Sequence, residues 1–515
     1  MILVFTSQLF FEEPWLDVHL EPLLKETVAA IIVVVVLGAC FWLTVRLEQN
    51  GKQTQGAVIF GMATALLTGA LLLGIWVDQK TDGSSESGSA ASLPAPTQVP
   101  APNSTAIPEP TPLPTPTPTP GPTDITTTLT RSPYLGNCST ESVTVGWKTD
   151  VAATSSVKYG TTPLMDSQQA DANTRFQHAV TLHGLEPDTK YFYQVISNRQ
   201  AMAPPSTFTT NQSAISSDFS FSVFGDTGVG GLPQFGIASQ LMDVHSNFLL
   251  HTGDVIYHHR NRAHLIEMGL VDGYDFNPPL TDFEAWDSYY FLPYRDIVKS
   301  KCIFTSLGNH DCPKCYTEAL HLPSNNPANS EIYYSFNYGR AHIIALDSNQ
   351  SAGKPGHTDT AQFMWLREDL RNASQDPEID WIFVFFHHAP FASGPVNIDP
   401  ISRGRFMADF YVPLFEEFGV DVVFGGHDHV YERTCPMIKN SCAPPDKRGI
   451  LYIVTGGGGH PQLEPNICEA DCLWSQFRLP AFHFVQVNVQ GDNLTGEAIG
   501  IDGKVFDTFS VEPTP

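Results

Sequence analysis

The sequence predicts an α/β (α+β) protein: a β-sandwich flanked by helices, preceded by an all-β sandwich domain and by two transmembrane helices. Three patterns carry that expectation. Five apolar runs between Phe219 and Phe424 each stop at residues bearing oxygen or imidazole donors, with helical stretches between them. Short alternating runs separated by turn residues fill Thr126 to Thr210. Two long apolar stretches open the chain.

Those stretches come first. Thr27–Val45 has 19 residues and Ala57–Val77 has 21, all uncharged, and each suffices to cross a hydrocarbon core of about 30 Å. Residues 1–82 therefore read as a membrane anchor. Glu12, Glu13, Asp17, Glu21 and Glu26 precede the first span, where a signal peptide would be basic. Arg46 and Lys52 lie between the spans, so the positive-inside rule puts that loop in the cytoplasm and both ends outside. The expected location is the cell membrane, multi-pass, with everything after Asp78 extracytoplasmic. Residues 83–124 turn to Gly, Ser and Ala and then to Pro-Thr alternation, a semi-rigid linker rising about 3.1 Å per residue.

Residues 125–212 follow as a small β-sandwich with strands Ser142–Trp147, Ser155–Gly160, His178–Leu182 and Lys190–Val195. His178 and His183 read as ordinary strand residues. The larger domain, 217–512, is expected to hold helices over Gln234–His245, Phe283–Lys299, Thr360–Asn372 and Arg403–Phe418. Strands return at Leu451–Val454, Ala481–Val489, Thr495–Ile501 and Val505–Val511.

The chain has 28 basic and 54 acidic residues, a net charge of −26, so no nucleic-acid-binding surface is expected. A phosphate-bearing ligand would need its positive charge from bound metal. Of nine cysteines, Cys40 sits in an apolar stretch. The other eight read as structural disulfides whose pairing is not legible, with Cys435–Cys442 and Cys468–Cys472 as candidate small loops. Cys312-Pro313-Lys314-Cys315 has the form of half a zinc site without a second half.

The strand ends carry the chemistry. Phe219–Phe224 runs into Gly225-Asp226-Thr227-Gly228, and Phe248–Leu250 into His251-Thr252-Gly253-Asp254-Val255-Ile256-Tyr257. Cys302–Leu307 runs into Gly308-Asn309-His310-Asp311. Trp381–Phe386 runs into His387-His388-Ala389-Pro390, and Asp421–Phe424 into Gly425-Gly426-His427-Asp428-His429. Core packing alone does not require this. Asp, Asn, Tyr and His without Cys suit borderline-hard divalent or trivalent cations. Two such ions about 3.5–4 Å apart, sharing a carboxylate, form a clamp for in-line attack on phosphorus.

In this order the motifs resemble those of calcineurin-like metallophosphoesterases. Tyr257, the ending Val430-Tyr431-Glu432-Arg433 and the preceding β-sandwich narrow the resemblance to the purple acid phosphatase group; Leu182–Tyr191 resembles a fibronectin type III loop. The resemblance implies a metallophosphatase β-sandwich binding two metal ions, Fe(III) plus Zn, Mn or Fe(II). It implies that Asp226, Tyr257 and His429 hold the first, that Asn309, His388 and His427 hold the second, and that Asp254 bridges them. His388 is preferred because the group's ligand directly precedes x-Pro; His387 is expected to face the other side of its strand. His310 would steady the phosphate or protonate the leaving alkoxide.

The implied activity is that of a membrane-tethered phosphatase cleaving phosphomonoester substrates by attack of a metal-bound hydroxide. A phosphodiesterase or nucleotidase on the same core, and a non-catalytic surface binding protein, are the alternatives. The group often carries further histidines after His-x-Pro, and Phe391–Asn397 has none, which leaves the pH optimum and leaving-group preference open. Asp311 and Asp428 add negative charge nearby, Asp428 on the solvent side. Gly456–Gly459 with His460 lacks a P-loop ending and reads as a flexible turn at the site's mouth, a role for His460 toward substrate being the lesser alternative. No Gly-x-Ser-x-Gly motif suggests a serine nucleophile.

Overall fold

The computed structural model describes residues 126–257, 282–349, 360–394, 403–461, 463 and 472–511. The expected membrane spans, 27–45 and 57–77, and the whole of the 83–124 linker precede the first of these and lie outside the described residues. Among the described residues no helix is long and apolar enough to cross a membrane.

The first domain is all-β: β1 (Leu129–Gly136), β2 (Ser142–Gly160), β3 (Ser167–His183), β4 (Lys190–Ser197), β5 (Gln200–Ala201) and β6 (Ser206–Thr209). The two strands expected at Ser142–Trp147 and Ser155–Gly160 are halves of one, β2. Its first half pairs with β1 and its second with β4, while β3 runs beside both across a register shift after Lys148. A strand that changes partner can line both sides of a small core without a turn. That core holds Trp147, Val157, Val180 and Tyr193. His178 is fully buried there, its ring stacked on Trp147 at 4.7 Å and its nitrogens 2.8 Å from Thr149 Oγ1 and Ser155 Oγ.

The larger domain holds β7 (Asp218–Phe224), β8 (Phe248–His251), β9 (Ile303–Thr305), β10 (Tyr334–Tyr338), β11 (Ala341–Ala345), β12 (Trp381–His388), β13 (Val422–Gly426) and β14 (Tyr431–Thr434). It continues with the hairpin β15 (Met437–Ile438) and β16 (Ser441–Cys442), then β17 (Leu451–Thr455), β18 (Ser475–Leu479), β19 (His483–Gln490), β20 (Asn493–Gly500) and β21 (Val505–Val511). One sheet has the order β21-β20-β19-β7-β8-β9 and the other β10-β11-β12-β13-β17-β14-β18. β7, β8 and β9 are parallel, as are β11, β12, β13 and β17. Parallel strands are covered on both faces, and every residue of β8, β9, β11, β12, β13 and β17 is buried.

The two sheets meet through aromatic rings. Phe221 of β7 lies 5.3 Å from Phe383 of β12 and 6.1 Å from Phe424 of β13. Each such ring stabilises the fold by about 2–3 kcal/mol relative to exposure. Along β12, Phe383 and Phe385 join this inter-sheet core, while Val384 and Phe386 join a second cluster with Phe363, Leu366 and Leu370 of the helix Ala361–Gln375. Side chains alternate with period two. Position 387 therefore falls on the inter-sheet side.

Two expected helices are broken. Phe283–Lys299 resolves into Asp282–Trp286, a wider five-residue turn Asp287–Phe291 and Arg295–Val298; Arg403–Phe418 resolves into Arg403–Phe406, Met407–Tyr411 and Val412–Glu417. Pro293 and Pro413 each remove a backbone donor just after the wide turn, and the helix ahead relaxes to accommodate the ring. The helix Pro313–Ala319 and strands β10 and β11 were not expected from the sequence.

Cys138–Cys302 ties the two domains together. Arg131 of β1, almost fully buried, pairs with Asp287 and lies 3.9 Å over the Phe291 ring. Cys435–Cys442 forms the expected small loop. Cys472 is disulfide-bonded, and Cys468 lies outside the described residues. Cys312–Cys315 is a disulfide, which replaces the half-zinc-site reading: sulfurs bonded to each other are no longer thiolates and offer no such ligand.

Candidate metal centre

Because β7, β8, β9, β12 and β13 point the same way in their sheets, their C-terminal ends deliver the donor residues to one edge. The backbone bends sharply there. Asp226, Asp254 and His427 all adopt left-handed φ, at 58°, 50° and 73°, a conformation costing about 1–3 kcal/mol for a non-glycine residue. Two glycines permit the close approach. A Cβ on Gly308 would overlap the Asp254 backbone and carboxylate, and one on Gly426 would overlap the Asp226 carboxylate.

Two groups of donors result. In the first, Tyr257 Oη donates to Asp226 Oδ1 at 3.1 Å and lies 2.9 Å from His429 Nε2, which is 3.4 Å from Asp226 Oδ1. In the second, His387 Nε2 lies 3.0 Å from Asn309 Oδ1, 3.3 Å from Asp254 Oδ2 and 3.2 Å from His427 Nδ1. Donor atoms of Asp226, Asp254 and His387 all fall within 4.8 Å of one another, as do those of His387, His388 and His427. Asp254 thus stands between the groups. Its Oδ1 accepts the His310 N–H at 2.8 Å, so the His310 backbone holds the carboxylate while the ring lies 4.8 Å from that of Tyr257.

His387 is where the structure departs from the sequence reading. It faces the site, as the parity of β12 requires. Its Nδ1 lies 3.1 Å from the Thr252 carbonyl oxygen, which leaves Nε2 to the other donors. His388, the residue preferred from the x-Pro spacing, has Nδ1 2.8 Å from Ser348 Oγ, and Arg403 Nη1 donates toward its Nε2 at 3.4 Å. A register shift between Phe385 and His388 lets both rings approach the same edge, the His388 ring 4.5 Å from that of His427.

Residues outside the expected set hold the loops. Asp311 is buried and accepts N–H bonds from Gly308 at 2.8 Å, Ile256 at 2.9 Å and Val255 at 3.2 Å, joining two donor loops. Asn349 Nδ2 donates to the Leu307 and Gly308 carbonyls at 3.1 and 3.2 Å. A signal for Ser348 and Asn349 is present in the sequence: Ala341–Leu346 is a sixth apolar run ending on Asp347-Ser348-Asn349. Asp428 is fully buried, and its Oδ2 accepts the Gly394 N–H at 3.1 Å, which corrects the expectation that it faces solvent. His460 is buried with its ring 4.3 Å from those of both Tyr257 and His429.

The electrostatics follow from burial. Burial, then the Asp254 and Asp226 charges, push the Tyr257 phenol well above its usual range. Burial and Asp254 raise the Asp311 carboxyl to about 7. Burial lowers His427 to about 3 and also holds His388 well down. Burial alone would lower His387 too, but Asp254 and Asp226 outweigh it and raise the imidazolium to about 9. Two buried carboxylates, a phenol, a carboxamide and several imidazoles demand positive charge, and that donor chemistry fits a pair of borderline cations. Gaps of 3.0 to 3.3 Å between neighbouring donors match ligands sharing one cation at about 2.1 Å.

Residues 219–431 match the calcineurin-like phosphoesterase family and residues 129–210 the purple acid phosphatase N-terminal domain. A purple acid phosphatase of Glycine max is 29% identical over 336 residues, covering 60% of this chain; the chain spans 65% of that relative, just under two thirds of its length. An Fe(3+)-Zn(2+) purple acid phosphatase of Arabidopsis thaliana is 25% identical over 389 residues, covering 67% of this chain and 75% of its own. The structure of a purple acid phosphatase from seeds of yellow lupin, Lupinus luteus, shares the fold with a TM-score of 0.60 at 20% identity, covering 74% of each chain.

Proposed function

Since the chain is a metallophosphoesterase of the purple acid phosphatase type, we propose that it is a membrane-tethered, extracytoplasmic dimetal phosphatase acting on phosphomonoesters. The observation that carries this reading is the convergence of Asp226, Asp254 and His387 within 4.8 Å, with Tyr257, Asn309, His427 and His429 in contact around them. Asp226, Tyr257 and His429 would hold one ion. Asn309, His387 and His427 would hold the other, with Asp254 between the two. The ions, Fe(III) with Zn, Mn or Fe(II), would supply the Lewis acidity and positive charge that a phosphate ester needs from so acidic a chain.

The chain's own residues orient and protonate. His310 is tied to the site through its backbone bond to Asp254, and its half-buried ring would steady the phosphoryl group or pass a proton to the leaving oxygen. Arg403, held toward His388, brings a fixed cation to the same edge. Asp311 keeps the Asp254–Tyr257 and Gly308–His310 loops in register, so the donors keep their spacing.

Hydrolysis of a chromogenic phosphomonoester by the full chain, loaded with iron plus zinc or manganese, tests the reading beside an Asp254→Ala control. Metal-dependent turnover lost in the control is expected. A diester cleaved faster than the monoester would move the reading to a phosphodiesterase. Tethering rests on the two uncharged stretches and the Arg46 and Lys52 loop, and three disulfides among the described residues favour an oxidising compartment. Protease added to intact cells should release a fragment beginning within Gly83–Thr123; complete protection would reverse the topology.

A further inference from the structure

We propose that Cys312 and Cys315 form a thiol–disulfide exchange site, one that accepts electrons from a dithiol and lies at the edge of the loop carrying Asn309 and His310. The pair is poorly suited to a purely structural role. It closes a sequence separation of 3, against 164 for Cys138–Cys302, and the constraint a cross-link places on the unfolded chain grows with the loop it closes. Tyr316 already anchors the same segment, donating from its hydroxyl to the Thr305 carbonyl at 2.8 Å.

The surroundings suit exchange. Cys312 is half-buried and Cys315 buried, so an external sulfur can reach only the first. Cys138 and Cys302 are both buried, which shields the long cross-link from the same attack. The Cys315 N–H donates to Cys312 Sγ at 3.2 Å, with Pro313 opening the turn between them. An amide aimed at Cys312 Sγ supports the negative charge that sulfur carries when it leaves the mixed disulfide in the second step. Lys314, between the two, is exposed and pairs with Glu318 at 3.7 Å, so the approach to Cys312 is polar and open to solvent.

The step balances without any other reactant. One thiolate of the dithiol attacks Cys312 Sγ. The Cys312–Cys315 bond breaks, and its electron pair passes to Cys315 Sγ, which takes up a proton. The donor's second thiol then attacks its own bonded sulfur, releasing Cys312 as a thiol and leaving the donor as a disulfide. Two electrons and two protons have moved to the protein. Asp311, the residue before Cys312, binds the backbone of both donor loops, so the exchange occurs one residue from the brace of the metal centre.

The test equilibrates the full chain in mixtures of reduced and oxidised dithiothreitol, quenches with acid, alkylates free thiols and quantifies each cysteine by peptide mass spectrometry. Cys312 and Cys315 are expected to open at a reduced-to-oxidised ratio at least tenfold below that which opens Cys138–Cys302. In a Cys315→Ser chain, Cys312 should form a stable mixed disulfide with glutathione. In a Cys312→Ser chain, the buried Cys315 should not. If Cys312–Cys315 opens only together with Cys138–Cys302 in the unsubstituted protein, or if Cys315 is the residue that captures glutathione, the proposal is wrong.

Discussion

Replacing His387 and His388 separately by alanine divides the structure from the x-Pro spacing rule. His387 Nε2 has three prospective donors within 3.3 Å, in Asn309, His427 and Asp254. His388 is held at Nδ1 by Ser348 and faces Arg403 with Nε2. Loss of a residue that merely orients a ligand lowers metal affinity about 10–100-fold. Removal of a donor itself should reach at least the top of that range, about 100-fold, or about 2.7 kcal/mol. We therefore expect His387→Ala to bind one ion at least about 100-fold more weakly, and His388→Ala to keep both within about tenfold while turning over substrate more slowly. Metal-free full-length protein, titrated with zinc and iron in a calorimeter and checked by elemental analysis after dialysis, gives affinity without reliance on activity. If His388→Ala loses an ion while His387→Ala retains two, the parity argument for β12 fails.

Gly308→Ala should lower both stability and metal content, because the new methyl overlaps Asp254; a cost of about 1–3 kcal/mol would appear as a lower melting temperature, and an unchanged value together with full metal content would refute the steric account. His483 supplies one part of the pH dependence. It is fully buried, its Nδ1 lies 2.8 Å from the Ala481 carbonyl oxygen, and burial pushes its imidazole down to about 4. A depressed folded value means the stabilisation is complete above the unfolded value near 6.5 and is lost as pH falls toward 4. The loss reaches about 2.5 kcal/mol by pH 4.5. His483→Phe, which forgoes the bond to Ala481, should be less stable by about 1 kcal/mol at pH 7 and more stable than the unsubstituted protein at pH 4.5. Urea midpoints at the two pH values check this, and an identical difference at both would remove His483 as the titrating group.

Much of the site is legible in the order of residues alone, since donor chemistry is a local property. Gly-Asp, Gly-Asn-His and Gly-His-x-His at the ends of apolar runs identify β7, β8, β9 and β13 and the residues they present. Gly308 and Gly426 stand in those same motifs, but that the Asp254 and Asp226 carboxylates leave no room there for a Cβ is a long-range contact that the order of residues does not show. Less legible are elements whose form depends on partners. β2 looks like two strands because its middle, Asp150-Val151-Ala152-Ala153-Thr154, breaks the alternation of the two halves, and only its pairing with β1, β3 and β4 makes it continuous. The helices around Asp287–Phe291 and Met407–Tyr411 carry helical periodicity but yield to the prolines that follow them.

The sequence by itself determined which donors exist, their order and the strands that end on them, because residue type and apolar patterning are written within a few neighbouring positions. Only the tertiary structure decided that His387 faces Asp254, that Asp311 joins two loops, that Asp428 is buried and that Cys138 reaches Cys302 across 164 positions. His427 and Asp226, 201 positions apart, meet at 3.0 Å. Contacts of that range are set by how two sheets close over one aromatic core, and no local pattern encodes the distance between their edges.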